Sequence, residues 1–221
     1  PGQRHRRTHL RLARRGARVL GVDFSDEAIR FARRLANETG ISARFEESEV
    51  IQWLESTDAR FDLAFASYGV VGWLPDLERW ARGIARILRP CGSFVYVEFH
   101  PILWSVGAAH TLDGDDYFET QEFVAPVRDY VKDSGPGLGA STTQPTTENL
   151  IPATSWQHGL GRTVSALAGA GLRIDTVREY PFSNGCKVHP SLLEAPKRRW
   201  VWPEGVARVP LMFALKATRD P

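Results

Sequence analysis

The stretch FDLAFASYGVVGWLPDLERWARGIARILRPCGSFVYVEFHP, residues 61–101, decides the fold class. Its first seven residues, Phe61 to Ser67, are apolar enough to predict a strand covered on both faces, the pattern of parallel sheets. Pro75 stands just outside a helix predicted from Asp76 to Leu88, in which Leu77, Trp80, Ile84, Ile87 and Leu88 recur at helical spacing. Arg89-Pro-Cys-Gly92 reads as a turn and Phe94–Phe99 as the next strand. A strand, a helix and a strand on short links form the right-handed crossover unit of a parallel sheet.

The same alternation extends to both sides. Upstream, residues 18–23 read as a strand that ends on an acid, Asp23. Ser25 is placed to cap a helix with Asp26 and Glu27 in its first turn, Ala28, Ile29, Ala32, Leu35 and Ala36 on its inner face, and Gly40 at its end. Ile41–Glu46 predicts a short strand and Val50–Leu54 a helical turn. Thr8–Arg15 predicts a short helix anchored on Leu12. Downstream, residues 101–155 break the rhythm, and Asp133–Asn149 is rich in Gly, Ser, Thr and Pro, the composition of a mobile lid or binding loop. A helix at about residues 160–170 and strands at 172–180 and 208–217 follow, with a proline-punctuated excursion between the strands. The expectation is one α/β domain over residues 1–221: a doubly wound, mostly parallel sheet with a lid-like insertion at 101–155.

Composition sets broad limits. Two cysteines, Cys91 and Cys186, have neither metal nor redox spacing, so no metal is expected and a reduced, cytoplasmic setting is the default. No apolar run approaches the ~20 residues of a membrane helix, and no partnership with a membrane is expected. Seven of the 28 basic residues are arginines within residues 1–18, which hold no acid; the remainder carries 21 basic and 26 acidic side chains, a net charge of −5. Such an arm can contact phosphates, but the acidic remainder repels a polyanion. No nucleic-acid partner is expected.

Two stretches, LARRGARVLGVDFSDEAIRFARRLANETG (12–40) and the opening run 61–101, resemble the second strand and helix and the fourth-to-fifth strand unit of class I S-adenosylmethionine (SAM)-dependent methyltransferases. The LRPCGSFVYVE segment is similar to the basic-Pro-Gly-Gly turn that enters strand five in that family. WQHGLGRTVSALAGAGLRIDTVREYPF (156–182) and VPLMFALKA (209–217) resemble the last helix and the antiparallel sixth and seventh strands, so the resemblance implies a Rossmann-like sheet with an antiparallel C-terminal strand. The resemblance implies SAM as cofactor and methyl transfer to a small-molecule acceptor.

An acid ending the second strand can accept from both hydroxyls of a ribose, and the resemblance assigns that role to Asp23, with Phe24 against the adenine. Its alternative is an additional capping group beside Ser25. Ser48-Glu49-Val50 matches the position where an acid and a hydrophobe hold adenine, so Glu49 is expected to accept from the amine and Val50 to pack on the ring; a solvated turn is the alternative. Ser67 and Tyr68 follow strand four and face the methionine part and the acceptor. Tyr68 and Trp73 are candidates for lining the sulfonium, where an aromatic face is worth ~0.5–2 kcal/mol. Glu98 and His100 close strand five on the acceptor side, where His100 can take a proton near neutral pH or simply bind a backbone carbonyl. Trp104, Trp156 and His158 flank the insertion as pocket roof or as packing. Methyl transfer depends on in-line alignment more than on acid–base catalysis, so no dyad is required.

The resemblance breaks at the start. The family opens with a strand and a glycine-rich turn, and here only Gly2, in Pro1-Gly2-Gln3, matches part of that turn. The first strand, central in this fold, has no counterpart. Its absence predicts unpaired neighbours and exposed apolar surface, and an exposed sheet edge suited to homo-oligomer formation. A start that omits the strand, a partner chain that supplies it, or a domain without cofactor binding each account for this; the first is preferred. Two other classes remain open. An NAD-dependent oxidoreductase would use Asp23 equally but lacks its G-x-G-x-x-G, and a non-catalytic interaction module would have lost the cofactor.

Overall fold

A computed structural model describes residues 10–118, 120, 122–126 and 152–221. Gly2 and the loop expected at Asp133–Asn149 lie outside the described residues.

The N-terminal unit is a parallel pair, β1 (Leu20–Asp23) and β2 (Arg44–Glu47), in the register Leu20↔Arg44 through Asp23↔Glu47. Helix α1 (Asp26–Thr39) connects them. Ser25 caps it by accepting from the Ala28 amide, and Gly40 ends it in the left-handed conformation at φ 64°. Its face of Ile29, Ala32 and Ala36 packs on Phe45 and Leu10 as a separate core cluster. Leu10, rather than the expected Leu12, is the buried anchor of the helical turn at 10–13.

The larger sheet has the order β3 (Phe61–Ser67), β4 (Leu88–Phe99), β11 (Met212–Arg219), β7 (Leu172–Tyr180). β3 and β4 are parallel, joined by α3 (Leu77–Ile87), while β11 lies antiparallel between β4 and β7. The expected antiparallel C-terminal strand is present. The short α2 (Val50–Ser56) links the two units and packs against α3, where Arg79 forms a two-point ion pair with Glu55 and Arg86 donates to the carbonyls of Leu54 and Thr57. Helix α4 (Leu160–Gly169) completes the main core through Leu167. β11 starts at Met212 rather than Arg208, because Pro210 has no N–H for a ladder.

Three features depart from the sequence reading. The turn expected at Arg89–Gly92 is absorbed into β4: between the pairs Phe61↔Leu88 and Leu63↔Ser93, two steps along β3 face five along β4, so the segment bulges out. Gly92 is required there, since a Cβ would sit 2.8 Å from the Arg89 carbonyl oxygen. Secondly, β3 is not covered on both faces. Among the described residues it pairs only with β4, as β1 pairs only with β2, and Leu63 is 44% exposed. The N-terminal unit and the larger sheet thus keep separate cores. Thirdly, the proline-punctuated excursion folds. Strands β8 (Phe182–Asn184), β9 (Leu193–Ala195) and β10 (Arg199–Val201) form a small antiparallel sheet, and Leu192, Trp202 and Leu211 pack with Leu103 and Val106 beside it. A hairpin of β5 (Glu122–Pro126) and β6 (Pro152–Trp156) bounds the insertion.

Candidate active site

In the larger sheet, β3, β4 and β7 end at one edge, and the side chains expected to carry chemistry collect there. Tyr68 leaves β3 with φ 34° and Gly69 continues at φ 81°. The Tyr68 amide donates to the Val97 carbonyl at 2.9 Å. Its ring packs 5.6 Å from that of Phe99, and its hydroxyl accepts from Asn184 Nδ2 at 3.1 Å. Ser67 is buried at the end of β3, opposite Val97.

Glu98 does not present a free carboxylate to an acceptor. It is buried, and it accepts from the amides of Gly69, Val70 and Phe99 and from the Tyr96 hydroxyl. Burial pushes its pKa up, and the three amide donors oppose that shift.

His100 is also held on both sides. Nδ1 accepts from the Ile102 amide at 3.2 Å, capping the 3-10 turn Pro101–Ser105. Nε2 lies 2.8 Å from Glu179 Oε1, an ion-pair distance, but off the line a ring N–H hydrogen bond requires. Burial lowers the His100 pKa, and Glu179 opposes this. Of the two readings of His100, the backbone-carbonyl partner is not what the ring meets; an amide and a carboxylate stand there instead. Glu179 was not among the expected site residues; its position near the end of the strand predicted at 172–180 was the available signal. A cavity of about 230 Å³ adjoins it, lined by Glu179, Tyr180, Pro181, Arg208, Val209 and Pro210.

At the end of β1, Asp23 is half-buried. Its Oδ1 accepts from the Ser25 amide at 3.0 Å, and its carbonyl accepts from the Ser48 amide at 3.1 Å, which joins the acid to the 48–50 turn. Oδ2 has no hydrogen-bond partner among the described residues. Phe24 beside it is 66% exposed. Glu49 caps α2 with both oxygens, accepting from Ile51 and Gln52 at 2.9 and 2.8 Å. The orphan amides of the helix start thus occupy part of the carboxylate that the resemblance assigns to an adenine amine. Val50 packs against the main core, so its contact surface is already largely used.

His158 is a structural residue: buried, with Nε2 at 2.8 Å from the Leu74 carbonyl oxygen. Trp73 and Trp156 are half-buried, while Trp104 is 43% exposed. A cavity of about 240 Å³ lined by Arg82, Arg86, Gly171 and Arg219 lies at the opposite sheet edge. There Arg86 and Arg219 donate to backbone carbonyls, so they serve the fold. Among the described residues no group of three or more His, Cys, Asp or Glu side chains is placed to hold a metal, and no helix is long and apolar enough to cross a membrane.

Burial lowers the His158 pKa as it lowers that of His100, with the Leu74 carbonyl and Glu78 opposing and Arg162 reinforcing. The unfolded chain, with histidines near the ordinary 6.5, therefore takes up protons before the folded one does. The stability tied to these two groups is complete above that value and is lost as pH falls below it. We expect Tm to drop between pH 7.5 and 5.5, and His158→Gln, which can still donate to Leu74, to shallow that drop. An identical slope in variant and wild type would refute the assignment.

The strand order and the parallel crossover define a Rossmann-like α/β architecture, with an acid, Asp23, ending the strand before α1. Residues 7–92 match the family model described as a methyltransferase domain. A demethylmenaquinone methyltransferase of Thermus thermophilus is 34% identical over 39% of this chain and 38% of its own length. A ubiquinone biosynthesis O-methyltransferase of Alkalilimnicola ehrlichii is 31% identical over 38% and 34%. The chain thus matches less than two-fifths of the length of either relative. Among solved structures, an S-adenosylmethionine dependent methyltransferase of Listeria monocytogenes shares the fold with TM-score 0.62 at 17% identity, covering 96% of this chain and 85% of the other. The glycopeptide N-methyltransferase MtfA does so at 0.57 and 14%, covering 99% and 80%. The [4+2]-cyclase SpnF also shares it, at 0.53 and 15%, covering 96% and 69%. Residues 7–92 are thus similar to a methyltransferase domain, and the chain as a whole shares the α/β fold of these solved structures.

Proposed function

We propose that this protein transfers a methyl group from SAM to a small-molecule acceptor. The observation that carries the reading is Asp23: a half-buried carboxylate ending β1, with one oxygen held by the Ser25 amide and the other without a partner among the described residues, inside the matched span 7–92. That free oxygen suits a ribose diol, and exposed Phe24 supplies an apolar surface beside it for the adenine. Glu49 adds its remaining lone pairs at the start of α2, and Val50 adds an edge of the core. Bound SAM supplies an electrophilic methyl on a sulfonium. Ser67 and Tyr68 close the adjoining strand end and line the methyl side. His100 and Glu179 lie beyond them, next to the cavity at the end of β7, and keep a paired rather than a free base on the acceptor side. The family match ends at Gly92, ahead of Glu98, His100 and the small three-stranded sheet, so the acceptor named for either relative is not carried over. SpnF shows that this fold also serves a protein described as a cyclase, and fold alone therefore does not choose the reaction.

Isothermal titration with SAM and with S-adenosylhomocysteine tests the reading. We expect both to bind, and Asp23→Ala to weaken them by about 10- to 100-fold, the loss of hydrogen bonds to a charged acceptor. A folded protein that binds neither sinks the proposal. Binding of NAD in their place would select the oxidoreductase alternative.

A further inference from the structure

We propose that Glu98 is a positioning residue of the methyl-transfer site: its buried carboxylate sets the backbone of residues 68–70 and, through it, the placement of the Tyr68 ring. The inference rests on the proposed function for its catalytic meaning, but its structural core does not.

A strand interior that points a carboxylate into an apolar cluster loses stability unless every lone pair finds a donor. Glu98 is 5% exposed and shares its face of β4 with fully buried Tyr96. Its donors are all neutral. Oε1 takes the amides of Gly69 and Phe99, and Oε2 takes the amide of Val70 at 2.9 Å and the Tyr96 hydroxyl at 3.2 Å. Two of the amides are consecutive, and they converge because Tyr68 and Gly69 both have positive φ. Successive amides turned to one side form a backbone nest, which closes around an anion. A tyrosine at φ 34° is disfavoured on its own, so the anion is what the turn is built around. Filling this space would require only a Met or Leu; ordering three amides requires acceptor lone pairs on both carboxylate oxygens.

Tyr68 connects the nest to the site. Its amide is tied to Val97, its ring lies against Phe99, and its hydroxyl meets Asn184 on β8. The ring thus spans from the nest to the small three-stranded sheet, and a change in the 68–70 backbone shifts it relative to both.

Glu98→Gln is nearly isosteric and sharpens the test. Oε1 of the glutamine can keep the Gly69 and Phe99 amides, but its NH₂ then faces the Val70 N–H, donor against donor. Amide exchange of the cofactor-free wild type is the first measurement. Gly69 and Val70, outside any helix or strand, should exchange about as slowly as the β4 amides, and fast exchange typical of an open loop would overturn the proposal. In Glu98→Gln, the Val70 amide should speed up by about tenfold or more, while β4 and β11 amides move less. S-adenosylhomocysteine affinity is then measured in Glu98→Gln, Tyr68→Ala and the double variant. A positioning role predicts strong non-additivity, with the double variant close to the weaker single one; full additivity refutes it. If the wild type binds no S-adenosylhomocysteine, the proposed function fails, while the exchange data still judge the nest.

Discussion

Trp80→Ala is expected to remove about 3–5 kcal/mol of stability, measured by urea unfolding, because it empties a large buried site that cannot collapse. Trp80 is 1% exposed on the inner face of α3. Its indole meets Phe94 at 5.5 Å and Tyr96 at 5.7 Å, both edge-on, and such ring pairs add about 0.5–1.5 kcal/mol beyond area burial. The ring therefore fixes the crossover helix to the β4 strand that carries Glu98. Domains of this size hold about 5–15 kcal/mol in all, so the variant should be near its unfolding threshold at 37 °C. A loss below about 1 kcal/mol would mean that α3 does not pack through this residue.

Gly83→Val is expected to cost at least about 1–3 kcal/mol through overpacking. Gly83 is buried in α3 where α2 crosses, and a Cβ there would sit 2.7 Å from Leu54 Cβ and 3.1 Å from its Cδ1. The clash falls on the root of a side chain that is 1% exposed, so relief requires the helices to move apart. Gly83→Ala should cost less, since alanine regains about 1 kcal/mol of helix propensity. Valine, β-branched and larger, regains less and clashes more. Separation of α2 from α3 would also strain the Arg79–Glu55 pair, and α2 begins at Glu49 beside Asp23's turn. We therefore expect weaker S-adenosylhomocysteine binding in whatever fraction of Gly83→Val folds. Unchanged thermal stability would contradict the close approach.

The helix-ending and helix-starting residues were legible because their physics is local. Ser25 and Asp76 cap α1 and α3 within three residues of their partners. Glu49 is equally local, and its cap on α2, accepting from two amides of its own helix, was not read from the sequence. The short strands β8, β9 and β10 span three residues each, too few for any period to register.

By itself, the sequence determined the alternation of strands and helices, the apolar faces of α1 and α3 and the acid that ends β1. Each follows from propensity, capping or period, which act over a few neighbouring residues. Only the tertiary structure decided what Glu98 and His100 touch. Their partners, Gly69 and Val70 for one and Glu179 for the other, lie 28 to 79 positions away along the chain and meet them only where β3, β4 and β7 end together. A buried polar group takes whichever donor or acceptor the fold brings within about 3 Å, and no local pattern encodes that choice.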